Sequence, residues 1–347
     1  MTSPLRILHV AVSDRFAGVE QFILRLATQQ ASNGHAVWVA GGDPAMMAEP
    51  LREAGVRYAP VASAVHAVRA VRSVDVDVIN THMTEADLVA VTARVLDRRG
   101  PAIVSTRHFA LRRGSRGPSA IYRAIERSLD AEIAISHAVA SSIDAPSTIV
   151  YSGVDAPPSA SVRRTRTVLM AQRLEEEKQT GTGIRAFAAS GIAANGWRLD
   201  VAGDGAQRDD LEALAQQLGV AEQVSFLGFR ADIPARMQSA SLMLAPTPNE
   251  GLGLAVLEAM AAGLPVIAAD AGGHSDLLAD VDGAGLFRPG DSADAAAQLR
   301  RLAGDKRARR RLGRAQQARQ LAYFTLRAQA DGTEAVYRDA IDRRRHG

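Results

Sequence analysis

The chain has 347 residues, 47% hydrophobic and 23% charged, with a formal net charge of +3 and no Cys. This composition is typical of a soluble globular protein, and the length predicts two compact domains. The lack of cysteine excludes disulfides, thiolate zinc sites and a cysteine nucleophile.

No stretch approaches the roughly 18 apolar residues of a membrane-spanning helix, and residues 1–9 lack the basic start and apolar core of a secretory signal. We therefore expect a cytoplasmic protein.

Short β-branched runs alternate with alanine-rich amphipathic stretches, a pattern typical of parallel strands joined by helices. In the first half the predicted strands are Leu5–Val12, Ala36–Gly41, Asp77–His82, Ala102–His108, Glu132–Ser136 and Thr148–Tyr151. The Pro/Ser stretch at residues 156–161 can form neither a helix nor a central strand. It predicts a domain boundary.

The alternation then restarts. The predicted strands are Thr167–Ala171, Arg198–Ala202, Val224–Leu227, Ser241–Ala245 and Pro265–Ala269. The last predicted helix, Asp331–Arg344, has no following strand and is expected to pack back on the first domain. The interpretation is an α/β chain with domains at 1–156 and 163–328, a linker at 157–162 and a C-terminal helix at 329–347. Open parallel sheets bind ligands beyond the carboxyl ends of their strands, so facing halves would form one cleft.

Basic residues concentrate in one segment of the first half. From Arg94 to Arg127 there are nine Arg against Asp97 and Glu126. Such a segment favours phosphate groups or an anionic membrane surface. The alternative is a solvated arginine-rich face without a partner.

The most informative stretch runs from Ala245 to Ile267. A strand ends, a short loop carries Glu250, Gly251 and Gly253, and a helix is predicted to begin near Leu252 and to carry Glu258. Backbone amides at a helix start, with glycines that allow close approach, favour polar or anionic ligand groups.

A purely structural interpretation of this stretch is a capped helix start. Thr247 would be the N-cap, Pro248 the first helical residue and Glu250 part of a capping box, worth about 1 kcal/mol. This alternative leaves Gly251 and Gly253 unexplained, because each would cost about 1 kcal/mol inside a helix. The stretch therefore favours a ligand site.

Glu250 and Glu258, separated by seven residues, resemble the two-glutamate motif of the retaining glycosyltransferases of family four, which have the GT-B fold. Four further segments resemble the family's motifs in order and spacing: Gln172-Arg173-Leu174 with Lys178, Gly203-Asp204-Gly205 with Leu211-Glu212, Val224–Gly228, and Tyr151–Asp155. The resemblance implies two Rossmann-like parallel-sheet domains facing each other across a cleft. It also implies a nucleotide-diphosphate sugar as donor and a saccharide or glycolipid hydroxyl as acceptor, in cell-envelope glycolipid, lipopolysaccharide or other polysaccharide synthesis.

The resemblance assigns roles residue by residue. Arg173 and Lys178 would hold the donor diphosphate, and two cations at a strand end suit a leaving nucleoside diphosphate. Glu250 would contact the sugar hydroxyls beside the backbone of Gly251, Leu252, Gly253 and Leu254. Glu258 would accept hydrogen bonds from the ribose hydroxyls, and Gly228 with Phe229 would line the base. The alternative for Arg173 and Lys178 is a surface pair offset by Glu175–Glu177.

Two residues of the first half complete the predicted site. Gly18, in Arg15-Phe16-Ala17-Gly18-Val19-Glu20, resembles the family's Gly-Gly-x-Glu loop, with Ala17 in place of the first glycine. His108 follows a strand where the family has a histidine near the anomeric carbon. A solitary histidine is otherwise more often a hydrogen-bonded structural residue.

Three departures from the family's pattern concern loops. Gln172 replaces a glycine, Gln179 follows Lys178 directly, and Asp276 stands where glutamate is common. The charged residues are intact. The implied mechanism is retaining and metal-independent: the diphosphate leaves, and its oxygen accepts the acceptor's proton.

Two other functions remain as alternatives, a GT-B epimerase or phosphorylase and a non-catalytic nucleotide-sugar-binding protein. A dinucleotide dehydrogenase lacks support, since neither residues 13–20 nor 203–208 contain Gly-x-Gly-x-x-Gly. No nucleic-acid partner is expected, because the basic segment has little aromatic interleaving. That segment is instead interpreted as a docking surface for a phosphate-bearing or lipid-linked acceptor at the cytoplasmic face of the cell membrane.

Overall fold

The structure is a computed structural model that describes residues 3–61, 63–95, 100–111, 119–143, 145–157 and 162–346. It divides into two compact units, Met1–Gly153 with Leu326–Gly347, and Val154–Thr325. The first crossing between units thus lies three residues before the predicted domain end at 156, and the second between residues 325 and 326. Within the predicted linker 157–162, residues 158–161 lie outside the described residues.

The first unit is built on a parallel sheet. Its strands are β1 (Arg6–Val10), β2 (Ala36–Ala40), β3 (Arg57–Ala59), β4 (Val78–His82), β5 (Ala102–Arg107), β6 (Ala131–Ala134) and β7 (Thr148–Ile149). The helices between them are α1 (Gly18–Ser32), α2 (Pro44–Glu53), α3 (Ala64–Arg72), α4 (Thr84–Val95), α5 (Ser119–Arg127) and α6 (His137–Ala140). The strand order is β3-β2-β1-β4-β5-β6-β7.

The second unit contains another parallel sheet. Its strands are β8 (Thr167–Ala171), β9 (Arg198–Ala202), β10 (Val224–Gly228), β11 (Leu242–Ala245), β12 (Val266–Ala269) and β13 (Gly285–Phe287). Its helices are α7 (Thr180–Ser190), α8 (Arg208–Gln217), α9 (Ile233–Ser239), α10 (Leu254–Ala261), α11 (Gly273–Leu278), α12 (Ser292–Gly304) and α13 (Lys306–Tyr323). The order is β10-β9-β8-β11-β12-β13.

All predicted strands are present, which confirms the α/β class with two parallel sheets. The two strands that the sequence did not indicate, β3 and β13, have three residues each and lie at or near a sheet edge. Such short segments show no measurable hydrophobic period. Both sheets are covered by helices, so most strand positions are buried and apolar, as parallel sheets require.

The last helix, α14 (Leu326–His346), packs on α1, β5 and β6 of the first unit. It begins five residues before the predicted Asp331. Asn80 of β4 donates a 2.6 Å hydrogen bond to the hydroxyl of the fully buried Tyr337, and the Gly153 amide donates to Gln329 at 2.6 Å. These polar contacts give the helix a fixed register on the sheet.

The basic segment is only partly exposed. Arg94 forms a 2.5 Å ion pair with Asp130 and is largely buried, and Arg107 is 7% exposed and donates to the Leu111 carbonyl. The interpretation of these two as surface cations is therefore wrong, because both guanidinium groups serve internal contacts. Arg123 and Arg127 on α5 are exposed. Arg98, Arg99, Arg112, Arg113 and Arg116 lie outside the described residues.

Within each sheet the strand order reverses at one point, between β1 and β4 and between β8 and β11. Loops leaving the carboxyl ends of such neighbouring strands run in opposite directions and leave a crevice that commonly binds ligands. No helix in the described part of the chain has the length and apolar character needed to span a bilayer.

Candidate active site

The loop that follows β8 carries Arg173 and Lys178 and is closed by its own side chains. The Gln172 amide group donates to the Lys178 carbonyl at 2.9 Å and to the Thr180 hydroxyl at 2.8 Å. Gln179 has a positive φ of 53° between the turn Glu176–Lys178 and α7. Gln172 thus holds the two ends of the loop together, a contact that glycine could not make.

The same loop is joined to the loop that follows β11, across the point where the strand order reverses. The Lys178 ammonium donates to the Glu250 carboxylate at 2.7 Å, and the two side chains are 15% and 26% exposed. The Thr247 hydroxyl donates to the Glu177 carbonyl at 3.0 Å. The structure therefore brings together Lys178 and Glu250, which are 72 residues apart in sequence.

Arg173 lies on the outside of this loop. Its guanidinium contacts Glu177 at 2.9 Å, and its side chain is 67% exposed. This is the surface ion pair that the structural alternative predicts for Arg173. An exposed pair of this kind contributes little to stability and leaves the cation accessible to an anionic ligand.

The loop after β11 does not form the capped helix start of the purely structural interpretation. The helix α10 begins at Leu254, and its N-cap, Gly253, has φ 98°. The expected start near Leu252 is therefore wrong, because a left-handed residue cannot lie inside a right-handed helix. The alternative with Thr247 as N-cap is also wrong, since its hydroxyl contacts Glu177 instead.

Backbone donors gather at this helix start. In the described part of the chain, no hydrogen bond uses the amides of Leu252 and Gly253. The first amides of α10 have no partner within the helix. Glu258 lies in the second turn of α10 and is partly buried. A ligand that reaches Gly253 thus meets unpaired donors next to the Lys178–Glu250 pair.

Glycines hold the Glu250 loop close to the loop after β12. The Gly273 amide donates to the Glu250 carbonyl at 2.9 Å, and a Cβ on Gly273 would lie 2.2 Å from the Leu252 Cα. Gly272 has φ 56°, and its Cβ would lie 2.6 Å from the Glu250 oxygen. Only residues without a side chain allow this approach, so both positions require glycine.

His274 packs under the same loop, and no sequence motif predicts a role for it. A Cβ on Gly253 would lie 2.9 Å from its Cδ2 and 3.1 Å from its Nε2. The ring is 1% exposed, and burial lowers the pKa of His274 to about 4, although the Glu250 carboxylate opposes this shift. A neutral imidazole therefore supports Gly253. The only sequence signal was its position after a predicted strand, between two glycines and an aspartate.

A further close approach involves the residues predicted near the base. Gly203 has φ 143°, its Cβ would lie 1.9 Å from the Gln172 oxygen, and its amide donates to the Gly228 carbonyl at 2.8 Å. Phe229 follows Gly228 and is 84% exposed. A large apolar ring held this far into solvent is available for stacking on a planar ligand.

The two remaining predicted residues lie in the first unit. Gly18 begins α1 and is exposed, and the Ala17 amide donates to the buried Glu20 carboxylate at 2.9 Å. His108 follows β5, is 8% exposed and lies 3.0 Å from His82 through its Nε2. His108 is therefore part of a buried histidine cluster and is not solitary.

Two models of known protein families together match most of the chain. The family model Glycosyltransferase Family 4 matches residues 16–156, and the model Glycosyl transferases group 1 matches residues 155–319. The chain belongs to the group 1 glycosyl transferases. Among solved structures, HepE of Anabaena, solved in complex with UDP and glucose, has a TM-score of 0.79 at 21% identity, over 95% of this chain and 98% of HepE. At that identity the likeness shows the fold, which is GT-B as the sequence implied.

Curated relatives of this glycosyl transferase match over shorter segments. EpsD of Bacillus subtilis is 40% identical over 116 residues, which are 33% of this chain and 30% of EpsD. Glycogen synthase of Mycobacterium tuberculosis is 31% identical over 198 residues, which are 55% of this chain and 48% of the synthase. The chain thus spans less than half the length of these curated relatives.

Proposed function

We propose that this chain transfers a sugar from a nucleotide-diphosphate sugar to a hydroxyl acceptor with retention of the anomeric configuration. The observation that carries the proposal is the Lys178–Glu250 pair at 2.7 Å, held where the strand order reverses and beside unpaired amides at Gly253. A cation and a carboxylate side by side suit a ligand that presents phosphates next to sugar hydroxyls.

In this proposal Arg173 and Lys178 neutralise the charge that develops on the leaving diphosphate. Glu250 and the backbone of residues 251–254 orient the sugar. The departing phosphate oxygen takes the acceptor's proton, so no side-chain base is needed. No metal ion takes part, and a chelator should leave turnover unchanged.

The nucleotide lies along the adjoining loops. Glu258 accepts hydrogen bonds from the ribose hydroxyls, and the exposed ring of Phe229 stacks on the base beside Gly228. UDP is the first nucleotide to test, because HepE was solved with it. The acceptor class is a saccharide or glycolipid, consistent with a polymer-forming relative such as glycogen synthase.

The first test is binding. Purified protein is heated with UDP, GDP, ADP and their common sugar conjugates, and a ligand at about 100 times its Kd adds roughly 2.7 kcal/mol of stability. Turnover is then followed as release of the nucleoside diphosphate with saccharide acceptors. Arg173→Met and Lys178→Met should each lower turnover by roughly 10²-fold. The matched control is Arg314→Met, which removes an exposed cation from α13.

The outcomes separate the alternatives. Stabilisation without turnover on any acceptor indicates a non-catalytic binding protein, and consumption of the sugar nucleotide without an acceptor indicates an epimerase or phosphorylase. A product of inverted configuration, read from its anomeric proton coupling, contradicts retention. No stabilisation by any nucleotide contradicts the proposal as a whole.

We also propose that α5 contacts an anionic membrane surface. Arg123 and Arg127 are exposed there, and Ile121 on the same helix is 52% exposed. Co-sedimentation with vesicles should rise with the fraction of anionic lipid and fall with salt. Binding that is independent of both contradicts this surface.

A further inference from the structure

Three histidines of the first unit lie on neighbouring strands in a diagonal row. In the register of the sheet, His9 of β1 pairs with Asn80, two residues before His82, and His82 of β4 pairs with Thr106, two residues before His108. Side chains two apart on a strand share a face. The row therefore rises by two residues per strand, from the penultimate residue of β1 to His108 beyond the carboxyl end of β5.

The rings are linked by hydrogen bonds along this row. His9 Nδ1 lies 3.1 Å from His82 Nε2, and His82 Nδ1 lies 3.0 Å from His108 Nε2. At the inner end, His9 Nε2 lies 2.7 Å from the Gln30 Oε1 of α1. Phe22, one turn from the start of α1, packs edge-on against the outer two rings, with centroid distances of 5.7 and 4.7 Å. Each ring is therefore fixed in orientation.

All three rings are neutral at neutral pH. His9 and His82 are fully buried and His108 is 8% exposed. Burial lowers the pKa of His9 to about 4 and of His108 to about 3, with Arg107 adding to the latter shift. Burial lowers the pKa of His82 well below its usual value, and the neighbouring rings add to the shift. A neutral imidazole has one N–H donor and one acceptor nitrogen.

This chemistry sets the position of each proton in turn. The Gln30 amide is oriented with its oxygen toward His9 Nε2, and in that orientation His9 carries its proton on Nε2 and accepts on Nδ1. His82 must then donate from Nε2 and accept on Nδ1, and His108 must donate from Nε2. His108 Nδ1 has no hydrogen-bond partner within the described residues. It remains as a lone-pair acceptor at the carboxyl edge of the sheet.

We propose that Gln30, His9 and His82 are positioning residues that hold His108 in one tautomer, with Nδ1 presented as a hydrogen-bond acceptor to a hydroxyl of the bound sugar substrate. The identity of the substrate rests on the proposed function, whereas the proton order rests on the neutrality of the three buried rings and on the orientation of the Gln30 amide. The row assigns His108 to a hydroxyl donor and not to a phosphate, because a neutral acceptor nitrogen has no attraction for an anion.

The test reads the His108 tautomer directly. Protein labelled with ¹⁵N in its eight histidine rings is studied by two-bond ¹H–¹⁵N correlation, which distinguishes an Nε2–H ring, an Nδ1–H ring and an imidazolium. The signals of His9, His82 and His108 are assigned by single substitutions. The wild type should show all three rings in the Nε2–H form between pH 6 and 8.

The decisive variant changes the far end of the row. Gln30→Leu removes the acceptor that His9 Nε2–H has among the described residues, and Gln30 itself has no hydrogen bond to His82 or His108 there. It should shift His108, two rings away, from one tautomer to a mixture. His82→Leu by itself should give a mixture of tautomers at His108. In the His82→Leu background, Gln30→Leu should have no further effect on the His108 tautomer. His82→Gln keeps a donor and an acceptor and should restore most of the single tautomer.

Activity provides the second readout. Gln30→Leu and His82→Leu should each lower kcat/KM by roughly 10-fold or more, as expected when the partner of a functional imidazole is lost. His66→Leu, at an exposed position of α3, is the matched control and should stay within about 2-fold. Should His82→Leu fail to fold, Gln30→Leu decides the question.

Three results would overturn the inference: an Nδ1–H or protonated His108 in the wild type, an unchanged His108 signal in Gln30→Leu, or an effect of Gln30→Leu that persists when His82 is leucine. If the His108 tautomer responds to Gln30→Leu but the protein transfers no sugar, the proton order is supported and the proposed function is contradicted. If the protein transfers sugar but the His108 tautomer does not respond to Gln30→Leu, the proposed function is supported and the proton order is contradicted.

Discussion

Mild acid should destabilise the first unit much more than the second. The first unit buries His9, His82 and His108, and the second buries His274. In each case burial lowers the pKa of the folded ring below the unfolded value of about 6.5. As the pH falls below about 6.5, the unfolded chain binds protons that the folded chain does not. The stabilising contribution is therefore complete above that pH and is lost on the way down to the folded pKa values of about 4 for His9 and about 3 for His108.

The magnitude follows from proton linkage. A ring that stays neutral when folded loses about 1 kcal/mol of stabilisation between pH 7 and pH 5.5. The three rings of the first unit together lose about 3 to 4 kcal/mol, and the one ring of the second unit loses about 1 kcal/mol. Carboxylates titrate mostly below this window. The free energy of unfolding of a domain is about 5 to 15 kcal/mol in total, so the loss expected in the first unit is a large fraction of it.

The two tryptophans allow each unit to be followed separately. Trp38 lies in β2, and the buried Trp197 lies immediately before β9. Urea unfolding of Trp197→Phe, followed by Trp38 fluorescence, reports the first unit, and Trp38→Phe reports the second. Each series is measured at pH 7, 6.5, 6 and 5.5, and the free energy of unfolding is extrapolated to zero urea.

The comparison between the units is the control. The free energy of unfolding reported by Trp38, for the first unit, should fall more with acid than that reported by Trp197, for the second unit. An equal or smaller fall at Trp38 would refute the prediction that the three buried histidines make the first unit more sensitive to acid. So would a Trp38 series that is flat over this range, since it would mean that the unfolded and folded rings titrate alike.

Two further predictions concern the second unit. Lys178→Met should lower the free energy of unfolding by about 1 to 3 kcal/mol, because it leaves the partly buried Glu250 carboxylate without its cation. Arg173→Met should lower it by less than about 0.5 kcal/mol, because the Arg173–Glu177 pair is exposed. Equal losses for the two variants in urea unfolding would contradict this difference in burial. Gly273→Ala should weaken UDP binding measured by calorimetry and cost about 1 to 3 kcal/mol, since its Cβ would collide with the backbone of the facing loop, while Gly304→Ala, which meets no atom within 4 Å, should be neutral.

Most of the fold could be predicted because strand and helix periodicity are local properties. Eleven strands were indicated by β-branched runs, and β3 and β13 were missed because three residues carry no period. The start of α10 was placed too early, since the pattern of apolar residues after Glu250 continues through Gly253. That glycine has a left-handed backbone and lies against His274, 21 residues further along the chain, a contact that no local pattern records.

The candidate site was only partly predictable. Arg173, Lys178, Glu250 and Glu258 were predicted as site residues because they stand in motifs of fixed spacing. His9 and His82 were not found, since each occurs alone in a strand-like run, and Gln30 is one of several glutamines on α1. The contacts among the three histidines depend on the register of three strands, which brings together residues 26 and 73 positions apart.

The amino-acid sequence by itself determined which stretches become strands and helices and which charged residues follow the strands. It could do so because hydrophobic periodicity and chain order depend only on residues that are neighbours in the sequence. Only the tertiary structure decided which of these side chains meet and which are neutral. The lateral pairing of strands selects the partners, and exclusion of water from the space between sheet and helix sets the protonation state. Both depend on residues far apart in the chain.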